Sequence, residues 1–354
     1  MAVVSGRPVD RPPFMADMSH WYDENTKNAT IPPPYQGLDI LGVHKAVGAG
    51  LNCGAGLCHT EQRDLATVTT DESHRKTVTR TTTYKTPHGD LRTIEKMIPT
   101  AASWHIMEHP IKGIEDFKAY EWVIRDQIRT PTPWGYKQAA EYVGDHGIVS
   151  TWLGWAPLQQ LMLGLMGQEQ AVYALHDYPK ETEAFMAFLD ESDDERFDIV
   201  CDSEVQFVWL ANHIDGLMVS PTLFQKYCMP YYQKRTEQLH KHGKTCVSHY
   251  DGRLKGIMPM LKDTGLDVIE AITPLPMGDI SLEEIKRHKG DLVVWGGMFA
   301  SIFCPPYTEQ DVLDHLFRWL DAVGERGVVA MGDDVPPNGD IEKVRVISEA
   351  LEQM

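Results

Sequence analysis

The chain has 354 residues, 42% of them hydrophobic and 24% charged, with a formal net charge of −18. That composition supplies a full globular core, and the negative balance argues against nucleic acid or an anionic membrane surface as a partner. No apolar run is long enough for a transmembrane helix, and Met1–Trp21 lacks the basic-then-apolar order of a secretory signal. The scattered cysteines Cys53, Cys58, Cys201, Cys228, Cys246 and Cys304 fit a reduced, cytoplasmic protein better than a disulfide framework.

Residues 1–35 are rich in Pro, Asp and Asn and end in Ile31-Pro32-Pro33-Pro34, which reads as an irregular arm. Between 65 and 99 the density of Thr and Val, with a turn at Pro87-His88-Gly89-Asp90, predicts an antiparallel meander. Helical pattern follows at 113–127 and 135–143. From Gly147 onward short apolar runs alternate with longer amphipathic ones. The expected strands are 147–153, 204–210, 244–249, 266–270, 291–296 and 327–331. The expected helices between them are 156–176, 180–201, 221–242, 253–264, 281–288 and 308–324. This alternation means parallel strands joined by helices. No GxGxxG follows any of the strands, so a (β/α)8 barrel of α/β class is favoured over a doubly wound sheet. The expected division is an arm and meander over 1–100 and a catalytic barrel over 101–354.

A barrel carries its active site at the C-terminal ends of the strands. Residues following the expected strands include Asn212, His213 and Asp215, then His249, Tyr250, Asp251 and Arg253, then Glu270, and finally Asp333 and Asp334. His249, Asp251, Glu270 and Asp333 offer one nitrogen and several oxygens, the donor types of a zinc site. Alternate residues of an extended chain face the same way, so the His-x-Asp pair can converge on one point. The same residues would equally serve as hydrogen-bonding groups of loops and turns. Cys53-x4-Cys58-His59 matches no standard zinc spacing and reads as buried free thiols in a Gly-rich loop. Trp152, Trp155 and Trp209 flank strand ends and are either core or the wall of an aromatic-substrate pocket.

The order of short motifs resembles the uroporphyrinogen decarboxylase superfamily over about residues 105–350. They are Glu108-His109-Pro110, Trp155-Ala156-Pro157, Val219-Ser220-Pro221, Met229-Pro230-Tyr231, Lys241-His242-Gly243, Trp295-Gly296-Gly297 and Gly332-Asp333-Asp334-Val335-Pro336-Pro337. The decarboxylases of that superfamily carry an Arg-rich N-terminal clamp of the R-Q-A-G-R kind, and none is present here. Its coenzyme M methyltransferases bind zinc through an H-x-C pair and a later cysteine. Here the counterparts are His249-Tyr250-Asp251 and Gly332-Asp333-Asp334, with carboxylates in place of thiolates.

The run Glu270-Ala271-Ile272-Thr273-Pro274-Leu275-Pro276-Met277-Gly278-Asp279 is similar to the methyltransferase component of aryl-ether O-demethylases. The resemblance implies methyl transfer from a methoxylated, aromatic substrate to the cobalt(I) of a separate corrinoid protein. It implies zinc on His249, Asp251, Glu270 and Asp333, and a ring held by Trp152, Trp155 and Trp209, while Arg253 is a substrate-binding candidate as the basic carboxylate clamp that a decarboxylase or lyase would need. His213 or Tyr250 would assist the leaving oxygen, with Asn212 and Asp215 in the same catalytic set. A homodimer is compatible with this reading. The alternatives are a decarboxylase or lyase on the same barrel, and a methylcobalamin:thiol methyltransferase.

Overall fold

A computed structural model describes residues 2–74, 77–98, 103–210 and 214–354. The chain forms two compact units. The first comprises Met1–Leu57, Pro133–Leu153 and Val200–Met354, and the second Cys58–Thr132 and Gly154–Ile199. The units therefore do not divide at residue 100, as the sequence suggested. The reason is that β1 and the segment before it belong to the barrel. Among the described residues no helix is long and apolar enough to cross a membrane.

The first unit is built on seven parallel strands: β1 (Leu51–Gly54), β2 (Gly147–Leu153), β3 (Phe207–Leu210), β4 (Thr245–His249), β5 (Val268–Ile272), β6 (Val293–Met298) and β7 (Gly327–Met331). Each pairs with its neighbours in chain order. From β3 onward they are short apolar runs, almost wholly buried, as in strands covered on both faces.

The eighth position is filled from the N-terminus. Phe14 bridges Val329 of β7, and Met15 bridges Gly50 just before β1, both in parallel sense. Met15 N–H donates to Val329 O at 2.9 Å, and Gly50 N–H donates to Phe14 O at 2.9 Å. The expected irregular arm is thus the element that joins the last strand to the first. Two residues are too short a run to show a period, which hides this role in the sequence. The fold is a TIM-like (β/α)8 barrel, as the alternation of runs predicted.

Inside it, Met15, Phe207, Trp209, Val247, Val268, Val293, Trp295, Val328 and Ala330 form one buried cluster. Inward side chains alternate with outward ones, so His249 follows Val247 and Glu270 follows Val268 onto the inner face. Helices including Met229–Lys241, Leu282–His288 and Glu309–Val323 connect the later strands. Ser281 and Thr308 start the last two of these with capping boxes.

The second unit holds the expected meander as a four-stranded antiparallel sheet, Ala66–His74, Thr77–Thr86, Gly89–Ile98 and Ser103–Glu108. Leu65 and Leu91 pack there with Ala119 and Val123 of the helix Phe117–Arg125. Asp126 fixes the entry to the meander, because its carboxylate accepts from the backbone N–H groups of Arg63, Asp64 and Leu65.

Candidate metal centre at the barrel mouth

His249 is the last residue of β4, and its register partner on β5 is Glu270. Side by side on the inner face, the two meet: His249 Nδ1 lies 2.8 Å from Glu270 Oε2. The same oxygen accepts from Trp209 Nε1 at 3.3 Å. On the other edge of the imidazole, Nε2 is 3.7 Å from Asp251 Oδ2. Asp333, two residues beyond β7, completes the group: one ligand atom from each of His249, Asp251 and Asp333 lies within 4.8 Å of the others.

A bulge accompanies this arrangement. The β5–β6 register shifts between Glu270 and Ile272, and Ala271 takes φ of 62°. Bulges commonly re-aim side chains next to active sites. Gly296 is matched to it, with φ of 142° and room for no side chain: a Cβ would come 2.8 Å from Ile272 N.

The electrostatics follow from crowded carboxylates around one imidazole. Burial alone would lower the pKa of His249, but Glu270 and Asp251 overcome it and hold the ring well above the usual histidine range. Desolvation raises Asp333, with Asp251, Asp17 and Glu270 adding to it and His249 opposing. Asp334 is pushed up to about 6, by burial first and then by Asp333. It turns away from the group and meets His20, with Nδ1 to Oδ2 at 3.3 Å. Of the two adjacent acids, Asp333 is therefore the one that joins His249.

The wall beside the group is aromatic. Trp152 and Trp209, opposite each other in the β2–β3 register, stack at 5.6 Å with 24° between planes. Trp295 meets Trp209 edge-on at 5.6 Å. Trp209 and Trp295 are buried, whereas Trp152 is 47% exposed and lies 6.3 Å from the imidazole, centroid to centroid.

Several expected residues take other places. Tyr250 is fully buried and packs on Tyr232, and desolvation drives its hydroxyl far up the pH scale. Its parity is opposite to that of His249, so it cannot serve the cavity as an acid. Glu270 is not among the three converging ligands, because its Oε2 is taken by His249 and Trp209. Asp215 shapes its own loop, accepting from Leu217 N–H at 2.8 Å and Arg253 N–H at 3.2 Å. The Arg253 guanidinium is 55% exposed and sits 3.9 Å from that same carboxylate. It is no buried clamp. Trp155 belongs to the second unit, its ring over Gly164. Asn212 and His213 lie outside the described residues. Cys53 and Cys58 are free thiols, but half-buried and on the strands Leu51–Gly54 and Cys58–Gln62 rather than buried in a loop, one in each unit.

Conversely, Asp17 and His20 went unnoticed in the sequence, and Trp295 entered only as part of the Trp295-Gly296-Gly297 motif, not as a site residue. Trp295 sits at alternating spacing inside an expected strand. Asp17 and His20 could have been found only by reading Phe14-Met15 as a barrel element. A second group, His240, Cys246 and Asp267, also brings metal-type donors together. There Asp267 Oδ2 already accepts from Cys246 N–H at 2.7 Å and contacts His240 Nε2 at 2.9 Å, which makes it a brace between helix and strand.

The uroporphyrinogen decarboxylase (URO-D) family profile matches residues 156–354, more than half of the chain. The chain belongs to that family. Among solved structures, this URO-D family member is similar to a methyltransferase from Methanosarcina mazei, with a TM-score of 0.64 and 14% identity over 99% of this chain and 96% of that one. It is also similar to a B12-independent methionine synthase from a Shewanella species, with a TM-score of 0.46 and 12% identity over 64% of this chain and 72% of that one. No curated protein matches it in sequence. The motifs that run from Val219-Ser220-Pro221 to the Gly332-Asp333-Asp334 loop all lie within the family match.

Proposed function

We propose that this URO-D family member is the methyltransferase component of an O-demethylation system, moving a methyl group from a methoxylated aromatic compound to the cobalt(I) of a separate corrinoid protein. The observation that carries this reading is the convergence of His249, Asp251 and Asp333 beside the Trp152–Trp209 stack at the strand ends. One imidazole and two carboxylates, without a thiolate, suit zinc or a similar divalent ion of borderline to hard character. Those three side chains would hold it. When bound, it would neutralise negative charge on the departing ether oxygen.

The chain's own groups supply the rest. Glu270 accepts from His249 Nδ1 and fixes the ring's orientation, which leaves Nε2 directed at the Asp251 side. Trp209 braces Glu270 in turn. Trp152 offers a half-exposed face on which a substrate ring can stack, holding the methyl carbon in line for attack. In the reaction the methyl–oxygen bond breaks and its electron pair stays on oxygen, while the methyl carbon accepts the cobalt(I) pair of the corrinoid co-substrate. The oxygen leaves as phenolate and takes a proton from solvent.

The absence of a cysteine from the group argues against a thiol-activating enzyme, since thiols prefer a softer, thiolate-bound ion. The test is a panel of methoxybenzenes, aliphatic ethers, methylamines and coenzyme M, assayed with cob(I)alamin and with methylcobalamin. Demethylation of methoxybenzenes, with little methylation of coenzyme M, is expected. Brisk thiol methylation with no reaction on any ether would overturn the proposal.

A further inference from the structure

His249 ends a strand and owes its place to the sheet, whereas Asp333 sits in the loop after β7. That loop is stitched to the N-terminal segment at four points. Val335 N–H donates to Asp17 O at 2.9 Å. His20 Nδ1 lies 3.3 Å from Asp334 Oδ2. Trp21 Nε1–H donates to Gly339 O at 3.1 Å. Asn25 Nδ2 donates to Pro337 O at 2.8 Å, and also to Trp21 O at 2.8 Å.

All four partners lie on or just before the helix Ser19–Lys27, whose first turn is held by Asp17 Oδ1 accepting from Ser19 N–H at 3.0 Å. The helix is anchored in its own right. Trp21 is buried and meets Tyr35 edge-on, and the Tyr35 hydroxyl donates to Glu342 at 2.7 Å. A run of successive loop residues bound to one anchored element has little freedom to move separately from it.

We propose that the helix Ser19–Lys27 is the template that holds the Asp333 loop in register with His249 and Asp251, and that His20 is a positioning residue acting on Asp333 through Asp334. This rests on reading Asp333 as a metal ligand. His20 sits beyond the ligands, where outer partners commonly govern metal affinity about 10- to 100-fold. The His20–Asp334 pair is partly solvent-exposed, with side chains 36% and 26% accessible, so its loss leaves the core intact.

The experiment measures zinc affinity by chelator competition for the full chain and for His20→Ala, His20→Gln, Asp333→Asn and the double variant His20→Ala/Asp333→Asn. It adds hydrogen exchange of the 333–339 amides in metal-free protein. His20→Ala should weaken zinc about 10-fold, His20→Gln should retain most of the affinity through its amide donor, and exchange across 333–339 should rise in His20→Ala. In the Asp333→Asn background the further loss of His20 should change zinc affinity little, because the residue through which it acts is already gone.

An equal loss in both backgrounds would overturn the proposal by making His20 act directly on the ion. Unchanged affinity together with unchanged exchange would overturn it by removing the tether. Raised exchange in a protein that binds no zinc would uphold the tether while ending the metal reading on which the proposed function stands.

Discussion

His249 presents both ring nitrogens to carboxylates, Nδ1 to Glu270 at 2.8 Å and Nε2 toward Asp251 at 3.7 Å. The two carboxylates have different duties, and substitution separates them. His249→Ala should abolish metal binding and methyl transfer while leaving the fold intact, since the ring lines the cavity and contributes little core area. Elemental analysis with circular dichroism checks this, and a variant with unchanged turnover would remove His249 from the mechanism. Glu270→Gln keeps a hydrogen-bonding group of the same shape behind the imidazole, so it should weaken metal affinity by about 10-fold rather than eliminate binding. If Glu270→Gln removed the metal as completely as His249→Ala does, Glu270 would be a ligand after all.

At this scale the sequence revealed residue types well and directions unevenly. The His-x-Asp pair and the acid after β7 could be read from strand-end position alone. The bulge that places Ala271 at φ of 62° leaves no mark in composition. Glu270 therefore looked like a fourth ligand, whereas its place in register with His249 makes it a partner of the ring. Tyr250 follows the same alternation that brings Asp251 to His249: one residue after His249 it takes the opposite parity and packs on Tyr232, away from the cavity.

At the scale of elements, the barrel strands were legible from Gly147 onward because short apolar runs alternate there with longer amphipathic stretches. β1, only Leu51–Gly54 and half glycine-flanked, carries no such signal. Its base is secured by His44 of the helix Ile40–Val47, whose Nδ1–H donates to Gly50 O at 3.0 Å. His44 is buried, and desolvation lowers its pKa to about 4 from an ordinary 6.5. The unfolded chain thus binds a proton that the folded one refuses. The stability this neutral ring contributes is full above about pH 6.5 and is lost progressively as pH falls toward 4, by at most about 3 kcal/mol. Denaturant midpoints between pH 7 and 4 should fall for the parent protein and fall less for His44→Gln. Parallel curves for the two would remove His44 from the acid response.

On β6, Gly296→Ala should cost roughly 2–4 kcal/mol, because the added Cβ meets backbone on β5 and the residue's φ suits only glycine. Chemical denaturation measures it. A change below about 0.5 kcal/mol would show that the bulge after Glu270 can yield.

For the whole molecule, the decisive structural fact is that the N-terminal segment is a member of the barrel. A peripheral arm could be trimmed at little cost, and the Pro-rich composition of residues 1–35 suggests that freedom. The hydrogen bonds say otherwise. Removing residues 1–17 would strip Val329 O of the Met15 N–H, Gly50 N–H of the Phe14 carbonyl, Val329 N–H of the Pro13 carbonyl, and Val335 N–H of the Asp17 carbonyl. It would also open two sheet edges in the middle of a cylinder and uncover the inner cluster that Val3 and Met15 complete. Each buried backbone group left unpaired costs about 1–3 kcal/mol, so four such losses approach the whole stability of an ordinary domain. The truncated chain should therefore be recovered unfolded or aggregated. Trimming only residues 1 and 2 should leave the Pro13–Asp17 hydrogen bonds in place and the protein soluble. Circular dichroism and size-exclusion chromatography of both forms decide the matter. A cooperative, monodisperse barrel lacking residues 1–17 would show that β1 and β7 can do without the segment between them.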